Sequence, residues 1–206
     1  MEDNSGYRRV FTVGSVYRTA QWAIGANRMM RVFANQHVRC TASDIVVDIG
    51  CGTGEMRSHL NPARYIGIEP NASYVDKSAA SIGPSDEIVS AGVEDDGLRS
   101  RLPDQVDLVL MVGVLHHLDD DVACKAMQLA ADLVRPGGRF VSIDPVLVDG
   151  QRRISHNLVK RDRGRNVRNA EQLRSVIAPS FPHVNITLRG DLLRLPYDHA
   201  IVEAFI

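Results

Sequence analysis

The chain has little cysteine, no run long enough to cross a bilayer and no excess of charge of either sign. Cys40, Cys51 and Cys124 are its only cysteines, and their spacing suits neither a disulfide framework nor a metal site. The longest apolar run, residues 108–115, falls far short of the roughly 20 residues that a membrane helix needs and reads as a buried central strand. Lys and Arg (24) nearly balance Asp and Glu (25), so no global field draws the protein to nucleic acid or to a membrane surface. The opening Met1-Glu2-Asp3-Asn4-Ser5-Gly6 lacks the basic-then-apolar pattern of a signal peptide. Repeats and low-complexity segments are also missing. These absences leave one domain of 206 residues, long enough for a single buried core, expected to be cytoplasmic and without a membrane partner.

Most informative among what is present is Ile45-Val46-Val47-Asp48-Ile49-Gly50-Cys51-Gly52-Thr53-Gly54-Glu55. An apolar run ends in an acid and enters a glycine-rich turn. A second apolar run, Tyr65-Ile66-Gly67-Ile68, ends in Glu69. Strand, glycine turn, then an acid at the tip of the next strand is how α/β sheets hold a ribose-bearing cofactor. Glycine is expected there because a cofactor lying against the backbone leaves no room for a Cβ, and because the turn needs unusual φ values.

The glycine spacing discriminates between cofactors. A dinucleotide fingerprint, G-x-G-x-x-G, seats a pyrophosphate on a helix N-terminus. Here the third of those glycines is replaced by Glu55, whose charge would repel a diphosphate. A cationic ligand without phosphates is compatible with it, and S-adenosylmethionine, a sulfonium carrying an ammonium group, is one. Asp48 supplies a negative partner for such an ammonium.

Beyond this point the chain resembles a known family. Val47-Asp48-Ile49-Gly50-Cys51-Gly52-Thr53-Gly54 is similar to the first motif of class I S-adenosylmethionine-dependent methyltransferases, most closely the branch acting on small molecules. Glu69-Pro70-Asn71 stands where that family places its ribose-binding acid. Residues 106–118, ending in Leu115-His116-His117-Leu118, resemble its fourth strand and following loop. Leu133-Val134-Arg135-Pro136-Gly137-Gly138-Arg139-Phe140 resembles the helix end and fifth strand. The resemblance covers residues 45–144. It implies a Rossmann-like α/β fold: a seven-stranded, mostly parallel sheet with one antiparallel strand, helices on both faces and an N-terminal helical lid. The implied cofactor set is Asp48, Gly50, Cys51, Gly52, Gly54, Glu69, Pro70 and Met111. One position departs from the family: where an Asp often meets the adenine amino group this chain has Gly92, which moves that contact to Val93 or Glu94.

Periodicity places strands at 45–49, 64–68, 87–90, 106–111 and 139–144, with helices at 54–59, 71–80 and 120–134 between them. Such alternation means a parallel sheet with helices on both faces. The helix from Asp120 shows Val122, Ala126, Leu129, Ala130 and Leu133 at helical spacing, acids at its positive end and Pro136-Gly137-Gly138 as a stop. The acidic triplet 119–121 therefore reads as a helix start, and no metal site is expected. The chain divides as a lid of one or two helices (1–40), a cofactor-binding core (41–145) and an acceptor-side cap with two terminal strands (146–206). Tyr17 and Trp22 in the lid are read either as closing over the site or as core.

Methyl transfer is an in-line displacement that depends on alignment and water exclusion, and it needs a base only when the acceptor must lose a proton. Beyond the fourth and fifth strands lie Met111, Gly113, His116, His117, Asp144 and Pro145. His117 with Asp144 is the expected base and orienter, because imidazole titrates near neutral pH and the family carries His and Asp at the matching strand ends in some hydroxyl-methylating members. A pair that merely packs the helix start is the competing reading. The basic run 151–168 is read as a cap for an anionic acceptor, as a nucleic-acid contact lacking the interleaved aromatics that base stacking wants, or as a solvated insertion. Arg161-Asp162-Arg163-Gly164 with Leu192-Leu193-Arg194-Leu195-Pro196-Tyr197 resembles a bacterial methyltransferase subset of undefined acceptor; a sugar or cell-surface polysaccharide precursor is the acceptor expected here. The rivals to a methyltransferase of small molecules are a nicotinamide-dependent oxidoreductase and a non-catalytic S-adenosylmethionine-binding partner protein.

Overall fold

A computed structural model of the chain describes residues 25–78, 80–160 and 164–206. Seven strands, β1 (Ile45–Ile49), β2 (Arg64–Ile68), β3 (Glu87–Val89), β4 (Val106–Val112), β5 (Val134–Pro145), β6 (His183–Arg189) and β7 (His199–Phe205), form one sheet in the order β3-β2-β1-β4-β5-β7-β6. β7 runs antiparallel to β5 and β6, and every other pairing is parallel. The strand order reverses between β1 and β4, and beyond their carboxyl ends such a sheet opens its crevice.

The central strands are apolar on both faces because both are covered. One face carries Val47, Ile49, Ile66, Ile68, Val109 and Phe140 against α3 (Asp120–Leu133) and α5 (Ala170–Ile177). The other carries Val46, Tyr65, Leu108, Leu110, Val141 and Ile201 against α1 (Ala26–Phe33) and the π-helical turn Ala34–Val38 that continues it. Phe33, Ala34 and Val38 are buried there, so the described part of the expected lid is a wall of the core. Tyr17 and Trp22 lie outside the described residues. Two shorter helices, α2 (Ala72–Ser78) and α4 (Arg153–Lys160), complete the fold.

Caps set the helix limits, at the start of α3 as the sequence implies. Asp119 Oδ1 accepts the Val122 N–H at 3.0 Å, and Asn169 with Gln172 forms a reciprocal capping box at the start of α5. Between α3 and the aligned part of β5, residues 135–138 bulge out, since Val106 pairs with Val134 but Leu108 with Arg139. One expectation fails. The helix expected at 54–59 is a turn followed by a single 3₁₀ segment, Met56–His59, because the extended Leu60 and Pro62 break the chain before a second turn can form. No described helix is long and apolar enough to cross a membrane.

Candidate active site

Parallel register brings the carboxyl ends of β1 and β2 level, Ile49 opposite Ile68. Gly50 and Cys51 both donate their N–H groups to Ile68 O, at 2.8 and 3.1 Å, which pins the glycine loop across the tip of β2. Gly50, Gly52 and Gly54 all have positive φ (74°, 58° and 75°), a region costly for residues with a Cβ. Space separates their roles. A Cβ on Gly50 would lie 2.6 Å from Val114 Cγ2, whereas one on Gly52 would meet nothing within 4 Å among the described residues. Gly50 is thus required by the protein's own β4 loop, and Gly52 is the glycine that opens onto free space. A ligand lying along the loop would take that space.

Glu69 closes the loop from the other side. Its Oε2 accepts the Gly52 N–H at 3.0 Å and its Oε1 the Asn71 N–H at 2.8 Å. Burial raises its pKa, although those two N–H groups favour the charged form. A carboxylate seated on the loop's own amide opposes a diphosphate there and leaves lone pairs for hydroxyl donors. Pro70 follows it, half-buried.

Asp48 is almost wholly buried, 1% exposed. The Tyr65 hydroxyl donates to its Oδ2 at 2.6 Å, while Oδ1 is buried with no hydrogen-bond partner among the described residues. Burial pushes this carboxyl up to about 7; the Tyr65 hydrogen bond pulls the other way and Glu69 adds to the rise. The Cys51 side chain fills the space above Gly67, where a Cβ would come within 2.5 Å of Sγ. Burial drives its thiol far up, reinforced by Asp48 and Glu69, so Cys51 is a small packing residue and no nucleophile. The cleft thus offers an open glycine cradle, an orphaned buried carboxylate oxygen and a second carboxylate at the strand tip. That set fits a cationic, phosphate-free nucleoside.

Two members of the expected cofactor set stand elsewhere. Met111 is fully buried in the core on the α3 face, because successive residues of β4 point to opposite faces and its side chain falls inward. Glu94 is exposed and pairs with Lys125 of α3 at 2.9 Å, which turns its carboxylate outward. Val93 is half-buried against the core. The turn holding it is fixed by Asp95, whose Oδ2 accepts the Gly92 N–H at 2.8 Å.

After β4 the chain makes a 3₁₀ turn, Leu115–His117. Here the expected dyad is corrected: Asp144 pairs with His116, not with His117. Asp144 Oδ1 lies 2.8 Å from His116 Nδ1 and 3.2 Å from the His116 backbone nitrogen. At three residues per turn, neighbouring side chains point about 120° apart, so only one of the two imidazoles faces β5. His116 is 6% exposed and lies directly beneath the Gly164 backbone, where a Cβ would fall 2.0 Å from its Cδ2. His117 is half-buried beside it, with ring centroids 4.0 Å apart.

The basic run resolves into different parts. Arg152, Arg153, Lys160 and Arg165 are exposed; Arg161, Asp162 and Arg163 lie outside the described residues. Arg168 is buried and clamps the β4 loop: it donates to Leu115 O at 2.7 Å and Leu118 O at 2.8 Å, and its Nη2 lies 2.7 Å from Asp120 Oδ1. Neither a solvated insertion nor an anion cap describes that residue. Nothing in the local sequence separates it from its exposed neighbours. Tyr65 and Val114 are further residues that the sequence reading did not single out. Among the described residues, no group of three or more His, Cys, Asp or Glu side chains could hold a metal ion.

Comparison with known proteins agrees with this geometry. Residues 22–178 match the family model of a methyltransferase domain. An uncharacterised methyltransferase of Geobacillus sp. strain WCH70 is 28% identical over 128 residues, which cover 58% of this chain and 58% of the relative; the match thus spans little more than half of that protein's length. The S-adenosylmethionine-dependent methyltransferase SibL superposes with a TM-score of 0.71 at 16% identity, over 97% of this chain and 61% of SibL. DhpI, solved as a complex with S-adenosylhomocysteine (SAH), gives 0.65 at 15% identity, over 97% and 93%. The chain belongs to the methyltransferase-domain family, and its fold is that of the S-adenosylmethionine-dependent methyltransferases on which it superposes.

Proposed function

We propose that this protein transfers the methyl group of S-adenosylmethionine to a small-molecule acceptor. The observation that carries the reading is the glycine loop with one side open at Gly52 and a carboxylate, Glu69, bound to its amide. In this reading Asp48 pairs with the methionine ammonium, directly or through one water, and Glu69 takes the ribose hydroxyls. Backbone around Val93 borders the adenine. When bound, the cofactor supplies an electrophilic methyl carbon on a cationic sulfur. The protein's own part is to align that carbon with the acceptor atom and to exclude water. Ionised Asp48 would meet the charge of the methionine ammonium from a fixed position.

The acceptor side lies beyond β4 and β5. The His116–Asp144 pair is too enclosed to reach an acceptor and serves to order the turn that presents His117. His117 is the candidate base if the acceptor is a hydroxyl, such as that of a sugar or another anionic metabolite; the exposed Arg152, Arg153 and Arg165 are compatible with an anionic acceptor. The nicotinamide alternative is disfavoured by Glu55 in the turn that adjoins the loop and by the absence of the third dinucleotide glycine. A partner protein that binds the cofactor without catalysis would share the cleft and differ only in lacking turnover.

The reading is tested by calorimetry on Glu69→Ala. Hydrogen bonds to a charged group are worth about 1.5–3 kcal/mol each, so SAH affinity is expected to fall by roughly 10–100-fold. Unchanged affinity would remove Glu69 from the site.

A further inference from the structure

We propose that Tyr65 is a positioning residue for the amino-acid end of the cofactor: its hydroxyl holds Asp48 Oδ2 so that Oδ1 is left to face the ammonium group. The inference rests on the cofactor reading above and adds a residue that touches neither cofactor nor acceptor.

Several features lead to it. In register, Tyr65 stands opposite Val46 and Gly67 opposite Asp48. Tyr65 therefore lies on the same face as Asp48, two residues back along the strands, and its hydroxyl reaches forward to the carboxylate. Tyr65 is among the largest fully buried side chains. For packing alone a Phe would serve, and a buried hydroxyl is retained at no cost only if it is bonded. Its bond is the 2.6 Å contact to Asp48 Oδ2. That leaves one carboxylate oxygen satisfied and the other, Oδ1, buried with no partner among the described residues. Buried unsatisfied oxygens are rare and costly, and this one belongs to the acid that ends in the glycine loop. The Arg57 guanidinium lies 5.9 Å from the Tyr65 ring centroid and helps fix the ring.

Without the hydroxyl, the carboxyl is free to rotate about its Cβ–Cγ bond or to rise in pKa, and either change weakens a cation's partner. The rest of the cofactor, held by Glu69 and the loop, is untouched. The effect of Tyr65→Phe should therefore depend on whether the ligand carries the amino-acid group.

The test compares two ligands by calorimetry: SAH, and 5′-methylthioadenosine, which keeps the nucleoside and thioether but lacks the amino-acid end. Tyr65→Phe is expected to weaken SAH about 5–10-fold and 5′-methylthioadenosine less than about 2-fold. In an Asp48→Asn background, Tyr65→Phe should cost nothing further for SAH, since coupled residues are not additive. Equal losses for both ligands would show a general structural role and overturn the proposal, as would no loss for SAH or full additivity with Asp48→Asn. Wild-type protein that binds neither ligand would instead overturn the cofactor reading itself.

Discussion

The two halves of the cleft are built in different ways. On the cofactor side the parts are local: Asp48, the glycines and Glu69 lie within 22 consecutive residues, and the loop is fixed by backbone bonds to Ile68 and by Glu69 on Gly52. On the acceptor side the β4 loop is held by residues far along the chain. Asp144 binds His116, Arg168 spans Leu115, Leu118 and Asp120, and the Asn166 N–H donates to His116 O at 3.0 Å. The first half is a ligand cradle that stores unsatisfied polar capacity. The second is a network bonded within the protein from distant parts of the chain, in which Asp144 Oδ2 alone among its carboxylate oxygens is buried with no hydrogen-bond partner among the described residues. Changes in the first should alter binding with little effect on folding, and changes in the second should do the reverse.

Arg168→Ala should break this division most visibly if it is wrong. Two buried carbonyls lose their donor and the side chain leaves a void, so the cost is expected near 3 kcal/mol, a fall in Tm of roughly 6–12 °C. SAH affinity should stay within about 3-fold. A large loss of affinity with little change in Tm would place Arg168 in the binding machinery.

Gly52→Val is the converse case. Its side chain fills the open cradle, and SAH affinity should fall by about 100-fold or more. The left-handed backbone costs roughly 1–2 kcal/mol, so calorimetric scans should show Tm only about 2–8 °C lower.

Asp48→Asn sharpens the comparison through pH. The folded Asp48 holds its proton up to about pH 7, while in the unfolded chain it ionises near 3.9. Its contribution to stability is thus fully present below the unfolded value and is lost as pH rises through about 7. Asp48→Asn should flatten that decline and raise Tm at pH 8, while weakening SAH about 10-fold. In the wild type, SAH affinity should rise as pH passes through 7, because the ammonium wants the ionised carboxylate. Affinity that is flat between pH 6 and 8 would contradict this role.

The smallest expected effect is that of Arg153→Ala. This residue is exposed at the start of α4, and neither Tm nor SAH affinity should move measurably. A raised KM for the acceptor would be the one sign that the exposed arginines recognise it.

The same locality explains what the sequence disclosed. The central strands and the glycine turn were legible because each is a short contiguous pattern, an apolar run, glycines, an acid at a strand tip, whereas the sheet topology was implied by the family resemblance. The short 3₁₀ segment was less so, since Pro62 had to outweigh a motif that usually opens a longer helix. His116 and His117 are adjacent in the chain, and only the geometry of the turn decides which of them meets Asp144. Arg168 looks like any arginine in a basic run until α5 and the β4 loop come together 50 residues apart. Tyr65 reads as an ordinary core aromatic, and its hydroxyl gains meaning only from the Asp48 oxygen two strand positions on.

The central claim is that the cleft accepts a cationic nucleoside and refuses a diphosphate. Titration of the wild-type protein with SAH and, separately, with NADH measures it directly. Saturable binding of SAH that disappears in Gly52→Val, with none detectable for NADH, is the predicted result; binding of NADH with SAH silent would contradict it.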